Sequence, residues 1–314
     1  MNMSDRPQLV DQSTPLLLVV GAASDAGGRD NNEDAVYVGE LTAAAGETAS
    51  DRYLLAVADG MGGHARGEAA SQIAIDTLVR LVNDDPGADT ALLLKQAFRQ
   101  ANDAIFEESE RAASGQGQVM GTTLVTAVLH QQYATIASIG DSRAYLVRAG
   151  SLTQITKDHS LVAEQVSRGA MTSLQAQESP HRNILIHALG HKPRLETKLP
   201  EIFELTLLPE DRLLLCSDGF YDVVDNQEIV RLLLGHNPED AAKQLVDLAV
   251  ERGTTDNVSA VVAEAMPTRV SVLTRDPAGA DAGRRPFGVS LVPVLVAVAA
   301  VVFIAIVLFA LTLL

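Results

Sequence analysis

Acidic residues stand at the edge of one apolar run after another in this chain. Asp59 closes "LLAVAD", Asp218 closes "LLLCSD" and Asp141 closes "IASIGD". Asp256 in "TTDNVSAVV", and Glu33 with Asp34 in "RDNNEDAVYVG", stand just before further runs. These runs are short and alternating or β-branched, so they read as strands. Strand ends can converge on one rim of a sheet, where gathered carboxylates repel and raise one another's pKa. Shared divalent cations remove that cost. An all-oxygen donor set suits Mg²⁺ or Mn²⁺, which bind through a few carboxylates and keep water. Two such ions about 4 Å apart clamp a phosphate and turn a bridging water into a nucleophile. A single Asp-Gly pair is a common turn. At Asp59 the turn reading fails, because "MGGHARGEAA" leads into a helical pattern and not into a return strand.

The same stretch fits a loose dinucleotide template, Gly60-x-Gly62-x-x-Ala65. There Asp59 would point negative charge at the pyrophosphate. Asp84 and Asp85, at the offset of about 20 residues where a ribose-binding acid is expected, follow a helix with no strand to deliver them. No Lys-Ser/Thr completes a P-loop. Gly60 reads instead as letting a backbone carbonyl approach a cation beside Asp59. Cys216 lacks the arginine of a C-x5-R phosphatase, since position 222 is Asp, and reads as a buried small hydrophobe. His181, His187 and His191 are too dispersed for a catalytic zinc site and read as loop residues. His159 in "KDHS" reads as holding a turn.

The elements that must position these acids follow from periodicity. Helical spacing marks 68–82 and 89–113, with Asp89 as an N-cap, and also 161–168, 226–234 and 238–252. "SIGDSRAYLVRAGSLTQIT" reads as consecutive antiparallel strands with a tight Ala149-Gly150 turn. Strands and helices without a βαβ rhythm imply an α+β arrangement of antiparallel sheets flanked by helices. The net charge of −16, with no basic stripe in the main body, argues against nucleic acid as a partner. The lone cysteine fits a reducing compartment.

Four segments are expected: a flexible start over 1–15, one domain over 16–266, a linker over 267–286, and a transmembrane helix over 287–314. The last rests on "VSLVPVLVAVAAVVFIAIVLFALTLL", which carries no charge over more than the roughly 20 residues that cross a bilayer. The start of the chain has no apolar signal region, and Arg284 and Arg285 precede the apolar stretch with no Lys or Arg after it. That asymmetry predicts a single-pass, C-terminal anchor in the cell membrane with the domain in the cytoplasm.

The chain resembles the bacterial PP2C-like (PPM) metal-dependent serine/threonine protein phosphatases. The resemblance is carried by "RDNNEDA", "ADGMGGHARGEAAS", "GTTL", "IGDSRAYL", "KDHSLV", "PHRNILIHALG", "LLCSDGFYDVV" and "TDNVSAVV", in the family's order. It implies a four-layer α-β-β-α sandwich of two antiparallel sheets. It implies that Asp59 bridges two Mn²⁺ or Mg²⁺ ions, that Asp218 and Asp256 complete one site, and that Glu33, Asp34 and the Gly60 carbonyl serve the other. Asp141 matches a position that shares a weaker third ion with Asp218. Arg29 matches the residue that grips the substrate phosphate, and residues from about 163 to 190 match a flap beside the site. Where animal relatives carry a histidine proposed as general acid, Met61 stands here, with His64 three residues on. That leaves the acid open.

The implied function is hydrolysis of phosphoserine and phosphothreonine on proteins, opposing Ser/Thr kinases, with phosphoproteins, such kinases among them, as partners. Two rivals are a phosphatase of the same fold dedicated to one regulatory protein, such as an anti-sigma-factor antagonist, and a catalytically dead phosphoprotein binder. A pure binder gains nothing from so many uncompensated carboxylates.

Overall fold

The structure is a computed structural model that describes residues 16–41, 52–63, 65–112 and 120–267. The chain runs through β1 (Leu16–Asp25), β2 (Asp34–Glu40), β3 (Arg52–Met61), α1 (Ala65–Asp84) and α2 (Thr90–Ala112). It continues through β4 (Gly121–Thr122), β5 (Leu124–His130), β6 (Tyr133–Ile139), β7 (Arg143–Arg148) and β8 (Ser151–Gln154). Next come α3 (Leu161–Ser167), α4 (Ser173–Gln177), β9 (Glu201–Thr206), β10 (Arg212–Cys216) and α5 (Asp218–Tyr221). The described part closes with α6 (Asn226–Gly235), α7 (Pro238–Glu251) and β11 (Val258–Pro267).

Two antiparallel sheets result. One has the order β1-β11-β10-β7-β8; the other has the order β2-β3-β5-β6-β9, with β4 paired to β3. Successive side chains of a strand face opposite ways, and β3 shows what each face covers. Leu55 and Val57 point between the sheets, where they join Val125, Ile136, Leu213, Leu215 and Val261. Leu54, Ala56 and Ala58 point outward against Ala70, Ala74 and Leu78 of α1 and against Leu94 and Phe98 of α2. On the other sheet Leu214, Cys216 and Val262 meet Ile229, Leu233, Ala242 and Leu245 of α6 and α7. The layers are therefore α-β-β-α, as expected, and both faces of each sheet are buried.

Local signals explain the helix starts. Asp89 accepts from the Leu92 amide, Asp225 forms a capping box with Glu228, and Asn237 caps α7 with Pro238 at its first position. In the β7–β8 hairpin Ala149 and Gly150 both take positive φ, 49° and 77°, the pattern of a two-residue turn that matches strand twist.

One expected element is corrected. Among the described residues no helix is long and apolar enough to cross a membrane. The two longest, α1 and α2, carry charge along one face and bury the other on a sheet, so they cover β-structure. Among the described residues the fold is thus the sandwich, with no membrane-spanning helix, and membrane attachment has no support from it. The stretch 287–314 lies outside the described residues, as do the linker residues from 268 and the start over 1–15.

Candidate active site

The end of β3 is the centre of the site. Asp59 lies directly across the ladder from Asp34 of β2. Its amide donates to Thr123 Oγ1 at 3.0 Å, and its carbonyl accepts from the Thr123 amide and from Thr122 Oγ1, both at 2.9 Å. Thr123 Oγ1 also shares a hydrogen bond of 2.7 Å with Ser142 Oγ, beside Asp141. Thr122, Thr123 and Ser142 are buried. Asp59 and Asp141 are therefore tied to one another through two threonines and a serine that the sequence analysis passed over.

β1 pairs with β11 along its whole length, ending at Asp25 opposite Val258. That register lays the 26–33 loop against residues 254–257. Asn257 fastens the two together: its side-chain amide donates to the carbonyls of Ala26 and Asn31 at 3.0 and 2.8 Å, and its Oδ1 accepts from the Glu33 amide at 2.8 Å. The same register brings Arg29 to Asp256, with Nη2 to Oδ2 at 2.7 Å and Nε to the Thr255 carbonyl at 3.0 Å. Half of the Arg29 side chain stays exposed. It faces an open cleft of about 260 Å³ lined by Gly28, Asp30, Asn31, Glu33 and Gly63.

Five predicted acids are gathered electrically as well as spatially. Burial is the main cause raising the pKa of Asp34 to about 7, and Asp218 and Asp256 push the same way against hydrogen bonds from Ser259 and Ser217. Burial followed by Asp256 and Asp222 raises Asp218 to about 6, and the Gly219 backbone and then the Asp59 carboxyl hold it back. Asp59 is raised by burial and by Asp34, Asp218, Asp141 and Asp256; Asp141 by burial and by Asp218 and Asp158.

Whether this set fits hard cations can be read from its oxygens. Asp34 Oδ2 is saturated by Ser217 Oγ at 2.8 Å and Ser259 Oγ at 2.7 Å, yet its buried Oδ1 has no partner. Asp218 Oδ1 is likewise buried and unpartnered. Orphaned anionic oxygens are costly in the interior, and a divalent cation is a partner of the right charge and hardness. The set fits, though not as a finished cage. Among the described residues no three His, Cys, Asp or Glu groups stand close enough to hold an ion without adjustment. Asp256 is turned to Arg29 and Asp34 to its two serines.

Glu33 and Gly60 meet over Gly67 of α1. A Cβ on Gly67 would lie 1.9 Å from Glu33 Oε2 and 2.9 Å from the Gly60 carbonyl oxygen, so these two oxygens converge there. Gly60 itself has no room for a side chain. Its Cβ would stand 2.1 Å from the Gly67 carbonyl oxygen and 2.7 Å from that of Glu33. The glycine is thus required by backbone packing, whatever its carbonyl binds.

The remaining singled-out residues fall apart from this rim. The Cys216 thiol is buried and pushed up to about 12 by that burial, which suits a core residue and not a nucleophile. His159 brackets Gly140: its amide donates to the Gly140 carbonyl at 2.9 Å and its Nδ1 accepts from the Gly140 amide at 3.2 Å. His187 packs edge-on to His159 at 5.5 Å, and His191 lies over Gly121. His64 lies outside the described residues.

Residues 29–260 match the family model described as protein phosphatase 2C. The chain belongs to the protein phosphatase 2C family. Its PP2C region is 40% identical over 251 residues to the serine/threonine protein phosphatase PstP of Mycobacterium tuberculosis, covering 79% of this chain and 45% of that one. The chain thus spans about half the length of this relative. It is 35% identical over 229 residues to the serine/threonine phosphatase stp of Listeria monocytogenes, covering 69% of this chain and 86% of that one. Its fold matches the crystal structure of the PstP catalytic domain in complex with two manganese ions, with a TM-score of 0.68, 39% identity, and coverage of 80% and 99% of the two chains.

Proposed function

We propose that this PP2C chain is a metal-dependent serine/threonine protein phosphatase. The observation that carries the reading is the rim itself: Asp34, Asp59, Asp141, Asp218 and Asp256 converge, two of their buried oxygens lack partners, and Arg29 faces the cleft beside them. The manganese complex of the similar PstP domain supports the same reading. Asp59, with acids on several sides, would be shared by two ions; Asp218 and Asp256 would hold one of them, and Glu33, Asp34 and the Gly60 carbonyl the other. Mn²⁺ or Mg²⁺ bound there would supply charge stabilisation for the phosphoryl group and lower the pKa of water enough for it to attack.

The chain's own residues do the rest. Asp34 is kept buried by Ser217 and Ser259, and Asp59 is fixed by Thr122 and Thr123, so the acids are aimed before substrate arrives. Arg29 is engaged with a carboxylate, and a phosphate offers its guanidinium fork an equivalent anionic partner. Substrate phosphate would therefore draw Arg29 away from Asp256. Arg29→Ala is expected to raise KM for a phosphothreonine peptide by about tenfold or more, the loss of a charge-assisted bond of roughly 1.5–3 kcal/mol. kcat should change less, if the contact is equal in ground and transition states. Steady-state kinetics at saturating Mn²⁺ read both, and an unchanged KM removes Arg29 from the role.

The function itself is tested by incubating the full chain with a phosphothreonine peptide in Mn²⁺ and in excess EDTA. Phosphate release confined to Mn²⁺ is expected. Equal turnover in EDTA contradicts a metal-dependent phosphatase, and no turnover in either condition supports a binder.

A further inference from the structure

Asp141 and Asp218 come to the site from different elements, Asp141 from the loop after β6 and Asp218 from the start of α5. Of the carboxylates around it, Asp218 acts most strongly on Asp141. Something must hold two repelling acids at a fixed separation. His159 brackets Gly140 and Thr123 holds Ser142, but both tie the Asp141 loop to its own side of the site.

The link to α5 is Tyr221. This residue ends the single helical turn that Asp218 begins, and the turn is closed by the Asp222 amide donating to the Asp218 carbonyl at 3.2 Å. The Tyr221 hydroxyl donates to the Asp141 carbonyl at 3.1 Å. Burial and the neighbouring Asp141 push its pKa well up, so it keeps the proton it donates. Its ring is held from the other side by Arg143, whose guanidinium carbon lies 3.4 Å from the ring centroid. Arg143 is two residues beyond Asp141 and is itself immobilised. It forks onto Asp158, with Nε to Oδ1 at 2.9 Å and Nη2 to Oδ2 at 2.6 Å, and its Nη1 donates to the Tyr145 hydroxyl at 2.9 Å. A closed circuit results: Asp218, the α5 turn, Tyr221, the Asp141 carbonyl, and back through Ser142 to the arginine that clamps the same ring.

We infer that Tyr221 is a positioning residue that sets the separation of Asp141 and Asp218, and with it the grip of this pair on a third divalent cation. The inference rests on the phosphatase reading above. Nothing in it requires Tyr221 to touch substrate. Residues that orient ligating carboxylates change metal affinity without changing the fold, and the buried, unpartnered Oδ1 of Asp218 is an oxygen such an ion would use.

The test is calorimetric titration of the full chain with Mn²⁺, comparing wild type, Tyr221→Phe and Tyr145→Phe. Tyr221→Phe keeps the ring under Arg143 and deletes only the hydroxyl. It is expected to weaken the loosest Mn²⁺ site by about tenfold and leave the two tighter sites unchanged, with the Tm of the metal-free protein lowered by only a few degrees for the lost hydrogen bond. Tyr145→Phe removes the other phenol from Arg143 without touching Asp141, and should titrate as wild type. A Tyr221→Phe isotherm identical to wild type, an equal loss in Tyr145→Phe, or a wild type with only two sites overturns the inference and leaves the phosphatase reading standing. A wild type that takes up no Mn²⁺ sinks that reading and the inference with it.

Discussion

Asp59→Asn is expected to lower phosphopeptide turnover by about a thousandfold and, at the same time, to make the metal-free protein harder to unfold. The loss follows from its place among Asp34, Asp218, Asp141 and Asp256, where its one carboxylate would serve both proposed ions. Charge stabilisation by metals is worth several kcal/mol, and each 1.36 kcal/mol is tenfold in rate. The gain follows from the same crowding. Burial first, and then Asp34, Asp218, Asp141 and Asp256, push the Asp59 pKa up, so its ionised form opposes folding. An uncharged amide removes that repulsion while preserving shape. Activity and stability therefore move in opposite directions, as expected where a site is built at the expense of the fold. Thermal unfolding in EDTA at pH 8 and kinetics in Mn²⁺ check the two halves. A variant that is both inactive and less stable would show that Asp59 is there for structure.

Removing the metal should make the protein's stability fall as pH rises. Asp34 at about 7 and Asp218 at about 6 are both well above the ordinary 3.8. A carboxyl whose folded pKa is raised gives its full support below the unfolded value and loses it as pH climbs through the folded value. The window is therefore about pH 4 to 7. Across it the Tm in EDTA should drop by several degrees, since 1 kcal/mol moves the midpoint of a domain of this size by about 2–4 °C. Mn²⁺ competes with the protons these acids hold, so the rise in Tm on adding Mn²⁺ should be small near pH 5 and large near pH 8. A Tm in EDTA that rises over this range, or a Mn²⁺ effect independent of pH, contradicts the strained cluster.

The acids were legible because each is delivered by a short apolar strand, and strand ends in a sandwich share a rim. Asp59, Asp141, Asp218 and Asp256 stand where that logic put them, and so do the long helices and the β7–β8 turn. What holds the acids was not legible. Ser217 and Ser259 reach Asp34 across 183 and 225 residues, and Arg29 reaches Asp256 across 227. No periodicity encodes such pairs; they follow from the β1–β11 register. A local sign did exist for three of the acids, because a small hydroxyl or amide follows or precedes them in Ser217-Asp218, Asp141-Ser142 and Asp256-Asn257. Gly60 also carried a second meaning. Sequence alone suggested a carbonyl exposed to an ion, whereas the packing of Gly67 against it forbids any side chain. The short turn α5 escaped periodicity because four residues hold too little pattern.

The central claim is that the acidic rim holds a pair of divalent cations around Asp59. Crystals of the protein grown with Mn²⁺, measured at the manganese absorption edge, test it most directly. The account predicts two strong anomalous peaks, both within ligating distance of the Asp59 carboxylate, one also reached by Asp218 and Asp256, with Arg29 released from Asp256. An anomalous map with no peak at Asp59, from crystals of protein that still hydrolyses phosphothreonine peptide in Mn²⁺, would contradict it.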